Sequence, residues 1–425
     1  MSAAVLEQAR PRSIPGIALL ICGALLAVGV IAFLAGVASD PATAWRAFHV
    51  NFLFFAGLGQ AGVVLASIFV IVGAKWPGPV RRIAEGLAAW SPFTLLLFPI
   101  DWFGGRHYLY EWIDHPIAVK GPYLNTGRLF LMDFLIFFLL AVFTLLFLKT
   151  SVRPALRGAA ESSSGIARAM FERWTTNWKG EVAEQEDSLR RLRKLAPPIC
   201  LLYAFGYSFV GVDQVMSLEP TWYSNLFGAF FAWGAFLSAV SATALLSVLH
   251  RNYPGLEGEV SRARMHDLGK MIFAFSIFWM YLFFSQYLVI WYGNLPEETS
   301  FIRDRLGTQF LQDTWYFAGF WGRIFGEPWV PITLFTWFCV WVIPFWCLLA
   351  AEPKKTWWFL GTIASISVFG FWMERNVLVW PSLTRDTWAW LGPIQIGIAL
   401  GFLGAFALVY LTYTRIFPSL AVPRR

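Results

Sequence analysis

The sequence predicts an all-α, polytopic membrane protein of about ten transmembrane helices, arranged as two parallel four-helix bundles with two peripheral helices. Three observations carry that expectation. Of 425 residues, 57% are hydrophobic and only 14% charged, with mean hydropathy +0.57, which is more apolar surface than a soluble domain can bury. Apolar runs of about 20 residues, long enough to cross the hydrocarbon, recur near 15–37, 48–74, 83–103, 128–149, 196–218, 223–249, 268–292, 329–350, 356–373 and 389–413. Their continuity excludes a barrel, whose strands alternate. An internal repeat supplies the third: Asn51-Phe-Leu-Phe-Phe-Ala-Gly57 resembles Asn225-Leu-Phe-Gly228, and Asp101-Trp-Phe-Gly104 resembles Ile290-Trp-Tyr-Gly293. The copies lie four spans apart, so they share one orientation and divide spans two to five from spans six to nine.

Residues 1–14 carry Arg10 and Arg12 ahead of an apolar run ending Ala35-Gly-Val-Ala38, which has the outline of a secretory signal. The run exceeds a signal core in length, so a retained helix is expected. Spans one to four fill 15–149 and spans five to ten fill 195–413, with 414–425 as the closing segment. Between them, 150–194 is the one sizeable charged insertion. Its Ile166, Met170, Trp174 and Trp178 stand at four-residue intervals, which suits an amphipathic helix on the membrane surface or against a partner, with a solvated connector as the alternative. Loops 104–127 and 294–328, on the opposite face, are long enough to be docking or functional surfaces. Loops on the side of the termini hold 23 of the 33 Lys and Arg and the opposite loops 9, which predicts cytoplasmic termini. That bias and anionic lipid headgroups account for the net charge of +7 without nucleic acid.

Several chemistries are excluded by residue placement. Cys22, Cys200, Cys339 and Cys347 all fall in apolar spans with no Cys-x-x-Cys pair, so this chain by itself neither holds an iron–sulfur cluster nor attaches a c-type haem. None of His49, His107, His115, His250 and His266 lies mid-span, which argues against a b-haem stacked between helices. No phosphate loop, nucleophile elbow or zinc motif occurs.

The span from His266 is the most informative. His266, Asp267 and Lys270 begin it, Ser276, Tyr281, Ser285 and Gln286 recur along it, and positions 270, 277, 281, 285 and 288–289 follow one helical stripe. Polar side chains in a bilayer look into a bundle or a wet cavity, or join helices by hydrogen bonds. Asp101, Asp133 and Asp213 lie within about two turns of the extracytoplasmic ends of their spans, at the depth of His49, Asn51, Gln214 and Gln286. Glu85, His266, Asp267 and Lys270 occupy the cytoplasmic third, with Gln60, Tyr203, Tyr207, Ser208, Ser276 and Tyr281 between. This layout suits two proton half-channels meeting at a drier centre. The alternative is that Asp133 and Asp213 pair with Arg128, a tyrosine or helix ends and only orient the bundle. His115, in a loop stiffened by Pro116 and Pro122, is suited to exchanging protons near neutral pH or to plain hydrogen bonding.

HDLGKMIFAFSIFWMYLFFSQYLVIWYGNLPEE from His266, with DHPIAVKGPYLNTGRLF from Asp114 and DQVMSLEPTWYSNLFG from Asp213, resembles the F subunits of alternative complex III, in the NrfD-like or polysulfide-reductase-like integral membrane family. The resemblance runs from Trp45 to the last helix. It implies ten helices around two four-helix bundles, in a bacterial inner membrane. It implies a subunit without its own cofactor, not catalytic alone, in a respiratory quinol:cytochrome c or other electron acceptor oxidoreductase. Haem c and iron–sulfur clusters would reside in partners: a multihaem cytochrome c, an iron–sulfur protein and a related NrfD-like membrane subunit, with a terminal oxidase and bound lipids as further neighbours. A bound quinol is left open, because the sibling subunit's quinol-site pattern has no convincing copy here. Carried over by position, Asp133, Asp213, His266, Asp267 and Lys270 serve proton movement, Tyr281 and Gln286 line the path, and Asp101 and His115 stand at its mouth. Two other readings compete. A stand-alone proton-coupled secondary transporter would break matching spans, and Pro92 and Pro99 do so in the third, but the seventh has no proline before Pro296. A purely structural scaffold would turn the polar stripe toward a sibling subunit.

Overall fold

The computed structural model describes residues 13–161, 163–252, 258–307, 329–384, 386 and 388–417, and every regular element among them is helical. The ten long helices are α1 (Gly16–Ser39), α2 (Pro41–Ile71), α3 (Ser91–Leu109), α4 (Thr126–Glu161), α5 (Glu181–Gln214), α6 (Phe227–Leu249), α7 (Arg262–Gly293), α8 (Val330–Cys347), α9 (Trp357–Leu383) and α10 (Pro393–Ile416). Among the described residues nine are long and apolar enough to cross a membrane, α3 together with the short helix Pro79–Ala88 that precedes it. The tenth, α9, has the length but not the hydropathy, because it is rich in tryptophan and carries Glu374, Arg375 and Asn376.

Local chemistry sets the helix ends. Asp40 caps α2 by accepting from the Thr43 amide at 3.1 Å, and Pro41 stands at the first turn, where no amide is needed. Ser261 caps α7, which stops at Asn294 in the left-handed conformation, φ 45°. Within α8 the helix widens to a π turn over Phe338–Val342, just before Pro344, which has no amide to donate to Val340 and crowds that carbonyl.

Packing follows the expected division. Helices α2 to α5 form one bundle and α6 to α9 the other, joined where α6 lies against α2 and α5 and α9 lies against α2. The apolar stretches of α2 and α6 are accordingly 89% and 78% buried, against 11% for α1, so these two helices are the centre of the fold. The peripheral α1 and α10 pair along their length and rest on α2. Small residues allow their approach: a β-carbon on Gly29 would lie 2.2 Å from the Gly401 α-carbon, and one on Gly404 2.7 Å from the Cys22 carbonyl.

Three sequence boundaries move. Helix α4 continues to Glu161 and α5 starts at Glu181, so much of the 150–194 insertion extends the spans, and its amphipathic helix is only Gly165–Trp174. Ile166 is 90% exposed and Trp178 lies beyond the helix; the inward side chains are Ala167, Met170, Phe171 and Trp174, with Phe171 and Trp174 against Phe417. A strict four-residue interval drifts by about 40° per step on a helix, so it cannot hold one face. Span nine, expected to end at 373, runs ten residues further, placing Glu374, Arg375 and Asn376 inside the fold. The long loop 294–328 opens with a helix, Pro296–Leu306; residues 308–328, like Arg10 and Arg12, lie outside the described residues.

Candidate functional site

The first bundle gathers acids at one end because each of its helices carries a polar residue near that end. His49 lies two turns into α2, Asp101 two turns before the end of α3, Asp133 two turns into α4, and Asp213 and Gln214 close α5. All five are buried. His49 Nδ1 meets Asp101 Oδ2 at 2.7 Å, and His49 Nε2 meets the Gln214 carbonyl oxygen at 3.0 Å. A carbonyl only accepts, so Nε2 carries a proton. The short contact to Asp101 then needs a second one, either on Nδ1, making an imidazolium beside a carboxylate, or on Asp101, making a carboxylic acid beside a neutral ring. Either way one transferable proton sits between two buried side chains.

His49 thus contacts the Gln214 main chain, and the Gln214 side chain makes separate bonds: its Nε2 donates to Asp133 Oδ2 at 2.5 Å, and its Oε1 accepts from the Tyr110 hydroxyl at 2.8 Å. Asp213 is held differently: Arg128 Nη2 at 2.7 Å and the Tyr123 hydroxyl at 2.9 Å both donate to its Oδ1, with the Arg128 guanidinium 3.9 Å over the Tyr123 ring. Asp133 makes no salt bridge among the described residues, and Asp101 Oδ1, Asp133 Oδ1 and Asp213 Oδ2 have no hydrogen-bond partner there. Tyr110, just beyond α3, is pushed well above the ordinary phenol range by burial and then by the charges of Asp101, Asp133 and Asp213; burial and Asp213 push Tyr123 the same way. Both therefore remain neutral donors.

Two further polar tiers lie along this bundle. Gln60, eleven residues and so about 16 Å beyond His49 on α2, donates to Thr144 Oγ1 at 3.1 Å and accepts from Ser91 Oγ at 2.7 Å. At the far end Arg82 bridges Glu85 at 2.9 Å and the Ser151 hydroxyl at 2.7 Å, while Ser151 Oγ donates to Glu85 Oε1 at 2.7 Å. Between the first two tiers Tyr203 and Tyr207 stack 5.0 Å apart; Tyr203 donates to the Ala232 carbonyl, and the buried Tyr207 hydroxyl, which faces Gly57, has no hydrogen-bond partner among the described residues.

Above the acid tier an open cleft of about 290 Å³ is lined by Arg46, His107, Glu111, Asp114, His115 and Ser382, among others. Arg46 is one turn above His49 on α2, and His107 Nδ1 contacts Asp114 Oδ1 at 3.1 Å. Among the described residues no three His, Cys, Asp or Glu side chains gather as a metal site.

The residues singled out from sequence thus separate. Asp101, Asp133 and Asp213 come together, with His115 in the cleft over them. His266, Asp267 and Lys270 lie instead at the start of α7 in the second bundle, where Lys270 pairs with Asp267 at 2.6 Å and its side chain is 54% exposed. The expected inward stripe is reversed: Lys270, Ile277, Tyr281, Leu288 and Val289 face out, whereas Ile272, Ser276, Trp279, Gln286 and Ile290 face in. Only the bundle partners could fix which face is covered, since polarity is spread around this helix. Tyr281 is therefore an outward side chain, and Gln286 is buried in the second bundle, accepting from Ser224 at 3.3 Å. His49 bonds Asp101 and the Gln214 main chain while the Gln214 side chain bonds Asp133, roles that their depth alone did not distinguish. The pair Glu374–Arg375 was missed because two charges inside an apolar run read as its end. No family model matches this chain, and no curated protein is similar to it.

Proposed function

We propose that this chain is the cofactor-free, proton-conducting membrane subunit of a respiratory quinol-oxidising complex of the alternative complex III type, set in a bacterial inner membrane with cytoplasmic termini. One observation carries the reading: buried Asp101, His49 and Asp133 gather around Gln214 inside a helix bundle, the Asp101–His49 pair on its main-chain carbonyl and Asp133 on its side-chain amide, and the Asp101–His49 contact holds a transferable proton. Ionisable groups are costly in a bilayer and mark ion or proton paths. Asp133, which makes no salt bridge among the described residues, is the relay; Asp213, held by Arg128 and Tyr123, anchors the tier. Protons pass between the tier and the cleft by way of Asp101, with His115 in the cleft wall. Electron carriers reside in partners, because cysteines and histidines here lack the spacing to ligate them. The outward aromatic face of α7 suits a sibling membrane subunit.

Purification from its own membranes in mild detergent separates this reading from a stand-alone transporter. Co-elution with a multihaem cytochrome c and an iron–sulfur protein is the expected result. Recovery of a homogeneous chain free of haem and iron, fully folded, contradicts it.

A further inference from the structure

The second bundle contains a buried acid–arginine pair that is built unlike the short pairs of the rest of the chain, and Arg305–Glu219 at 3.9 Å shares its open geometry. Arg82–Glu85, Arg128–Asp213 and Arg153–Glu184 meet at 2.9, 2.7 and 2.7 Å, so each cation relies on its anion for short hydrogen bonds. Glu374 and Arg375, both almost wholly buried, approach only to 3.5 Å, which is not a hydrogen bond. Each has its own partners instead, although Arg375 Nη1, which faces Glu374 Oε2, has no hydrogen-bond partner among the described residues. Arg375 Nη2 donates to the Phe231 carbonyl at 3.0 Å and its guanidinium lies 3.9 Å over the Phe231 ring, while Glu374 Oε1 accepts from the neutral Trp279 indole at 2.9 Å. Glu374 Oε2 has no donor among the described residues, and it faces Gly234 of α6, where a β-carbon would lie 3.0 Å away. Arg375 is the only charged side chain acting on Glu374 among the described residues; Tyr203 and Tyr207 of α5 face Arg375.

We propose that Glu374 is a second proton-exchange site of this chain, taking up a proton on Oε2 while Arg375 stays charged in its own cradle. One O–H bond forms, no electron moves, and the pair passes from zero to one positive charge, borne by a guanidinium whose hydrogen bond and ring contact do not involve the carboxylate. The site is independent of the acid tier in the first bundle, so either can fail alone.

Infrared difference spectra of the full chain in lipid nanodiscs, recorded on acidification in H2O and D2O, test it. The expected result is an exchange-sensitive carboxylic acid C=O band that Glu374→Gln removes and that Asp133→Asn and Asp213→Asn retain. In Trp279→Phe, which leaves the carboxyl in place but removes its donor, the band moves to higher frequency. Spectra of Glu374→Gln that superimpose on those of the unaltered chain overturn the proposal. Should Glu374→Gln not fold, a band unmoved in Trp279→Phe overturns it equally.

Discussion

Glu85→Ala destabilises the folded chain by about 3–5 kcal/mol, and more than Arg82→Met does. Glu85 is fully buried between two guanidiniums, Arg82 at 2.9 Å and Arg81 at 3.2 Å, and also accepts from Ser151. Removing it takes the anion from buried Arg82, which keeps only Ser151, and from partly exposed Arg81, and leaves the Ser151 hydroxyl without its acceptor. Removing Arg82 strands a single carboxylate that still faces Arg81, and methionine keeps much of the lost packing. The order is as informative as the size, because it follows from which partner has a substitute. Thermal unfolding in detergent measures both; losses under about 1 kcal/mol, the scale of exposed pairs, would show that the cluster is hydrated and loosely held.

Gly29→Leu separates α1 from α10. At that crossing a β-carbon already meets the opposing backbone at 2.2 Å, and neither neighbour is a flexible side chain that could turn aside. Overpacking in a tight core costs roughly 1–3 kcal/mol, and here the helices must part, so the loss reaches the upper end or beyond. Because α1 and α10 lie outside both bundles, the damage is local. Hydrogen exchange should rise sharply over 16–39 while α2 and α6 stay protected; unchanged protection in α1 contradicts the packing account.

Most of the architecture was legible because span length and hydropathy are properties of single segments. The division into spans two to five and six to nine could be read from two short repeats, and the packing agrees with it. What failed was anything that depends on a neighbour. The stripe at Lys270, Ile277 and Tyr281 is helical in spacing, yet the bundle covers the other side of α7. Glu374 and Arg375 looked like the edge of a membrane because hydropathy cannot distinguish a charge at the surface from one cradled by an aromatic ring and a carbonyl. Asp133 and Asp213, alike in sequence and depth, differ only in their company: an amide for one, an arginine and a tyrosine for the other. The amphipathic helix forms with Met170 and Trp174 inward, and only the ends of the four-residue stripe depart, Ile166 by rotating off that face and Trp178 by lying beyond the helix.

The proton account is tested most directly by proton-to-electron stoichiometry in vesicles holding the purified assembly, with Asp133→Asn compared to the unaltered chain. Asparagine keeps the shape and still accepts from Gln214 Nε2 but cannot carry a proton, so proton movement should fall by at least about tenfold while electron transfer in the proposed partner subunits continues. Asp213→Asn should disturb assembly or stability first, since it strands Arg128. Normal assembly with an unchanged stoichiometry in Asp133→Asn would contradict the relay and leave the first bundle as a scaffold.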